Sequence, residues 1–134
     1  MECDIRHLPF QDEYASEVHA IHVVEHFSRL EADAVLKEWC RVLKPGGKIA
    51  LECPSLDKIS QALQSPERSQ RWLRMTLIGL YGEYWNGDAM LHKWCYSSQE
   101  LSGMLERAGF GKVMLLEPLY HLPDRDLRMV ARKQ

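Results

Sequence analysis

The sequence predicts an α/β fold whose sheet is mostly parallel and closes in an antiparallel C-terminal strand pair. Three features carry that expectation. A β-branched run at 18–24 precedes apolar residues at helical spacing, a proline-glycine break separates those from a second strand-like run, and two strand-like stretches end the chain with no helix between them. Strands alternating with helical patterns imply parallel neighbours joined by crossovers, and two adjacent closing strands imply a hairpin.

Val18-His19-Ala20-Ile21-His22-Val23-Val24 fits a short buried strand. From Ser28 onward Leu30, Ala34, Val35, Trp39, Val42 and Leu43 recur at helical spacing, with Glu and Lys on the other face. A helix is therefore expected from about Leu30 to Leu43, stopped by a turn at Lys44-Pro45-Gly46-Gly47. Lys48 to Cys53 reads as a strand closed by Pro54, parallel to the first through a right-handed crossover. Leu56 to Leu63 suggests a short helix, and Pro66 to Leu80 a longer one with its proline in the first turn. The aromatic stretch 81–94 has no clear period and reads as a loop. Ser97-Ser98-Gln99-Glu100 is a capping box opening a helix that ends at Ala108-Gly109. "FGKVMLLEPL" and "RDLRMVARK" are the two closing strands.

At 134 residues the chain fits a single domain, 1–134, and 46% apolar with 27% charged residues is ordinary for a globular protein. The net charge of -2 and the scattered Lys and Arg argue against nucleic acid and anionic membrane as partners. No apolar run approaches a membrane span and no signal-peptide pattern opens the chain, so a cytoplasmic protein is expected. Cys3, Cys40, Cys53 and Cys95 are widely spaced without a C-x-x-C pair, which argues against a zinc knuckle and a disulfide scaffold and for reduced thiols.

"HVVEH", His22 to His26, matches the H-x-x-E-H pattern of inverted zinc peptidases. That chemistry needs both histidines on one face of a helix. His22 instead ends a strand-like run, so the two are not expected to share an ion. Candidate third ligands Glu38, Glu83 and His92 sit in no second motif. No metal is expected, and a zinc metallohydrolase remains a distant alternative.

Asp4, Leu8-Pro9-Phe10, His22 to His26, Arg41-Val42-Leu43-Lys44-Pro45-Gly46-Gly47, "YSSQELSGMLERAGF" and "RDLRMVARK" follow one another in an order that resembles class I S-adenosylmethionine-dependent methyltransferases. The resemblance implies a truncated Rossmann-like methyltransferase sheet that binds S-adenosylmethionine outside the carboxyl ends of its strands. It implies that the Asp4 carboxylate meets the adenine amine, that the Ile5 backbone meets the ring edge, and that His22 lies beside the methionine portion. His22, Glu25 and His26 become candidates for the methyl-transfer side, with His22 or His26 taking a proton from a small-molecule acceptor. Structural roles stand beside these. Glu25 and His26 can brace the start of the next helix, Asp4 can fray, and His92 can be a surface histidine.

The family's glycine-rich turn and ribose-binding acid have no counterpart here, the first glycine being Gly46. The cofactor site is therefore expected to be incomplete in this chain alone, with weak binding. The strand at 18–24 is expected to be an unpaired edge through which two copies form a homodimer. A non-catalytic methyltransferase-like scaffold is the alternative from a different class.

Overall fold

The computed structural model describes residues 2–66, 69–83 and 85–134. Strand β1 (Ala15–Ile21) lies parallel to β2 (Leu43–Pro54), with Val18 opposite Ile49 and Ala20 opposite Leu51. Helix α1 (Arg29–Val42) makes the crossover, as the spacing predicts. Helices α2 (Leu56–Gln64) and α3 (Gln70–Tyr81), the short strand β3 (Trp85–Asp88) and helix α4 (Ser98–Ala108) follow. Strands β4 (Phe110–Leu116) and β5 (Asp126–Lys133) pair antiparallel, and β5 also runs antiparallel to β2. The four-stranded sheet has the order β1-β2-β5-β4.

The α/β class is as expected, but the sheet is not mostly parallel. Among the described residues only β1 and β2 are parallel, because residues 56–108 add helices and no strand to this sheet and β5 then inserts between β2 and β4. The first strand also departs from the expectation. It ends at Ile21, His22 turns out of it with φ 52°, and Val24–His26 form a 3-10 turn. It is an edge with Ser16, Glu17 and His19 exposed, not a buried strand. Lys44 to Gly47 form a bulge inside β2 instead of a separate turn: Ala15 faces Leu43, and Glu17 faces Lys48. Gly46 there has φ 73°, and a Cβ on Gly47 would stand 2.7 Å from the Lys44 carbonyl oxygen.

Helix α1 starts at a reciprocal cap. Ser28 Oγ accepts from Glu31 N at 3.3 Å and Glu31 Oε2 accepts from Ser28 N at 2.9 Å. Its inner face buries Ala32, Val35, Leu36, Trp39 and Cys40 against Leu101, Met104 and Leu105 of α4 and Ile49 and Leu51 of β2. In α4 half of the expected capping box forms. Ser97 Oγ accepts from Glu100 N, while the Glu100 carboxylate turns to Arg29 Nε at 2.8 Å and Trp94 Nε1 at 3.1 Å. Gly109, φ 104°, closes that helix as expected.

Helix α3 begins at Gln70 on the Ser69 cap, so Pro66 lies ahead of it; residues 67 and 68 of the expected helix fall outside the described residues. The stretch 81–94 is not all loop, since it holds β3 and a bridge between Gly82 and Leu91; Tyr84 is outside the described residues. All four cysteines are unpaired, Cys3 exposed, Cys40 and Cys53 buried and Cys95 partly buried. No helix among the described residues is long and apolar enough to cross a membrane.

Candidate functional site at the carboxyl end of the parallel strands

Both parallel strands end at one cluster of polar side chains. His22 leaves β1 with its N–H donating to the Glu52 carbonyl at 2.7 Å, which fixes the backbone where the ladder stops. Its imidazole then meets two carboxylates, Nδ1 2.9 Å from Glu25 Oε1 and Nε2 3.2 Å from Asp126 Oδ2. The His121 ring lies beside it, centroids 4.0 Å apart. Burial alone would lower the His22 pKa; Asp126 and Glu25 outweigh it and raise the value to about 9. The ring is a cation at neutral pH, with a carboxylate near each nitrogen. It has no lone pair with which to take a proton.

Asp126 is fully buried and doubly held, by Arg125 through Nε at 2.6 Å and Nη2 at 3.0 Å, and by His22. Burial pushes its carboxyl up, but those two cations hold it below the usual range. Glu52, also buried, accepts the backbone N–H groups of Leu119 (3.0 Å), Tyr120 (2.8 Å) and His121 (3.3 Å), and so brings the chain ahead of β5 to the cluster.

Glu25 is different. Its side chain is fully buried, and neither carboxylate oxygen has a hydrogen-bond partner among the described residues, the nearby His22 Nδ1 lying out of line. Beside it, His26 Nδ1 is 3.2 Å from the Leu91 carbonyl and His92 Nδ1 2.9 Å from the Gly79 carbonyl. The two rings meet edge to face at 5.0 Å. Ligand atoms of Glu25, His26 and His92 lie within 4.8 Å of one another. The pairing across 66 residues holds because Lys93 N (2.8 Å) and Trp94 N (3.3 Å) donate to the Glu25 carbonyl. Burial lowers the His92 pKa, favouring the neutral ring.

The structure places His22, Glu25 and His26 close together and gives the two histidines separate partners. Asp4 and Ile5 lie elsewhere. Asp4 is exposed and gripped by Arg6, Nη2 to Oδ2 at 2.9 Å, which holds its pKa near about 2. The Ile5 carbonyl accepts from Trp39 Nε1 at 3.0 Å. No hydrogen bond or ion pair among the described residues joins either to His22 or His26. Glu38 is committed to Arg41 (2.7 Å) and Leu8 N (2.8 Å), while Arg41 also holds the Phe10 carbonyl, so these two pin the Leu-Pro-Phe segment to α1. Sequence reasoning missed Glu52, Arg125 and Asp126. Glu52 did carry a signal: a lone carboxylate in the apolar run Ile49-Ala50-Leu51-Glu52-Cys53 needs buried partners.

A family model described as a methyltransferase domain matches residues 1–51. The human protein named "Probable tRNA methyltransferase 9B" is 30% identical over 84 residues, covering 62% of this chain and 18% of that protein; the mouse protein of the same name matches similarly over 19% of its length. The chain thus spans about a fifth of the curated relatives it matches. Among solved structures, a SAM-dependent methyltransferase of Thermotoga maritima superposes with a TM-score of 0.66 at 15% identity, over 100% of this chain and 63% of that one. Human N-acetylserotonin methyltransferase, solved in complex with SAM, gives 0.66 at 17% identity over 99% and 33% of the two chains. At those identities the likeness concerns the fold, a Rossmann-like one with the site at the strand ends where open α/β sheets bind ligands. The domain match over the first 51 residues, the sequence relatives and that fold together make the chain similar to S-adenosylmethionine-dependent methyltransferases.

Proposed function

We propose that this chain forms the acceptor side of a methyltransferase site and takes part in methyl transfer from S-adenosylmethionine to a small-molecule hydroxyl or amine. The observation that supports it most is the buried polar cluster where β1 and β2 end, the region that open α/β sheets use for ligands. S-Adenosylmethionine, when bound, supplies an electrophilic methyl group on its sulfonium. Asp4 is exposed, so an adenine amine can compete with Arg6 for its carboxylate while the Ile5 backbone meets the ring. Cationic His22, fixed by Glu25 and Asp126, borders the methionine portion and positions Glu25. His26 faces the acceptor. Its Nδ1 is engaged by a carbonyl, so the lone pair on Nε2 is the one that can accept the acceptor's proton.

These residues fit the adenine and acceptor sides; nothing in the chain before Gly46 supplies a glycine-rich cradle. We therefore expect calorimetric titration of S-adenosylmethionine into this chain to give weak binding, and a fusion to a family member's glycine-rich strand-turn-helix half to give saturable binding. Transfer of labelled methyl by that fusion to small acceptors, reduced in His26→Gln, would support the proposal. Tight binding by the chain alone, or no transfer by a fusion that binds the cofactor, would overturn it. The latter result favours the non-catalytic scaffold. The relatives named for tRNA methylation favour an RNA acceptor as second choice, against which the net charge of -2 weighs; tRNA belongs among the acceptors tried.

Two further parts of the proposal concern setting. Four unpaired cysteines support a reducing, cytoplasmic location. The edge position of β1 supports a homodimer joined near that strand. Light scattering should report twice the chain mass, and Ile21→Lys should reduce it; a monomer at micromolar concentration would remove the dimer from the proposal.

A further inference from the structure

We infer that Glu25, His26 and His92 form a binding site for one divalent transition-metal ion of the zinc type. Glu25 is fully buried with both carboxylate oxygens lacking a hydrogen-bond partner among the described residues, which is costly for a group of this kind unless something else takes the lone pairs. The neighbouring His22 cation offsets the charge and does not fill those lone pairs. The two other side chains are ready to ligate. Carbonyl oxygens can only accept, so Leu91 and Gly79 fix His26 and His92 as Nδ1–H tautomers and leave Nε2 of each ring as a free lone pair. A backbone carbonyl on the second ring nitrogen is what orients most metal-bound histidines.

The donor set points to the ion. Two imidazole nitrogens and one carboxylate oxygen are the protein ligands of a His2Glu zinc centre, which keeps a fourth position open. The present span of 4.8 Å exceeds the donor separation of about 3.3 Å that bonds of about 2.0 Å imply for a tetrahedral ion, and small side-chain rotations close it. The scaffold is firm. Lys93 N and Trp94 N tie the His92 segment to the Glu25 carbonyl, and His92 N donates to the Tyr81 carbonyl at 3.0 Å. Around the ligands, His22 contacts Glu25 and is itself held by Asp126 and Arg125. The H-x-x-E-H spacing suggested the wrong pair of histidines, because His22 faces the carboxylates while the second imidazole comes from a distant loop.

The site's role rests on the methyltransferase proposal and changes one part of it. With an ion on His26 Nε2 that lone pair no longer takes the acceptor's proton, and the ion's open position would instead bind the acceptor's oxygen or nitrogen and make its proton easier to lose to solvent. Its test does not depend on methyl transfer. In a Cys3→Ser background, which removes the exposed thiol, Zn2+ is titrated by calorimetry and Co2+ by visible absorption. We expect one equivalent bound, with affinity lowered about tenfold or more in His26→Gln, in His92→Gln and in Glu25→Gln. His19→Gln, on the exposed face of β1, should bind as the parent does. Circular dichroism confirms folding of each variant; if Glu25→Gln does not fold, the two half-buried histidine variants decide. No saturable binding by the folded parent, or stoichiometric binding that survives His92→Gln, overturns the inference. Zinc binding without methyl transfer leaves it standing and counts against the proposed function instead.

Discussion

Where α1 meets α4, Val35, Leu36, Leu101, Met104 and Leu105 are all but inaccessible and carry no side-chain polar atom to satisfy. At the carboxyl end of β1 and β2, Glu25, Glu52 and Asp126 are equally inaccessible, and each brings a carboxyl group whose oxygens need partners. The first region gains by excluding water from apolar surface and tolerates any filling of similar volume. The second depends on partners: Glu52 has three N–H donors, Asp126 two cations, and Glu25 one cation out of line. Equal burial therefore conceals unequal completeness. Glu25 is the member left unfinished, and an unfinished buried carboxylate is where ligand chemistry has room to act.

The largest effect expected is in the charged region. Asp126→Ala strips Arg125 and His22 of their shared partner and should destabilise the fold by about 3–5 kcal/mol in urea unfolding, as removal of one side of a buried pair does. Asp126→Asn adds a pH arm. The folded-state pKa of Asp126 is depressed, so its contribution is present above the normal aspartate value of 3.8 and lost as pH falls below it. The stability gap between wild type and Asp126→Asn should narrow over that descent. A constant gap would mean that shape, not charge, holds this region.

Next comes the apolar region. Leu36→Ala should cost about 2–5 kcal/mol through lost burial and the cavity left behind, with no change in cofactor or metal binding measured on the folded fraction. A binding loss there would break the separation between the two regions. The smallest effects belong to the helix caps. Ser28→Ala should cost about 1 kcal/mol, and Ser97→Ala less, because Glu31 returns the bond at the first cap while Glu100 has turned to Arg29 and Trp94 at the second.

The apolar region was legible in the sequence and the charged one was not. Val35, Trp39 and Val42 repeat with the helix, and the crossover rule then placed β1 beside β2. Strand parity at the far edge was not legible, since the insertion of β5 between β2 and β4 leaves no mark in either strand's pattern. Site residues have no period. His22, Glu25 and His26 stood out through family likeness, while Asp126 reaches His22 from 104 residues away and His92 reaches His26 from 66, through tertiary contacts that local spacing cannot encode. Left-handed φ at His22 hid the end of β1 as well, because a β-branched run gives no warning that its middle histidine will turn.

The placement of the four thiols turns the chain into its own folding clock. Cys3 alone is exposed, whereas burial raises the Cys40 thiol, pushes Cys95 up to about 12 and Cys53 well above its normal value. Alkylation proceeds through the thiolate, so at neutral pH a maleimide dye should attach once to the native molecule, at Cys3. Each opening event that bares Cys40, Cys53 or Cys95 adds a further increment of mass. Because these three sit in α1, in β2 and beside α4, the order in which the increments arrive in a mass spectrum would tell which part of the molecule lets go first.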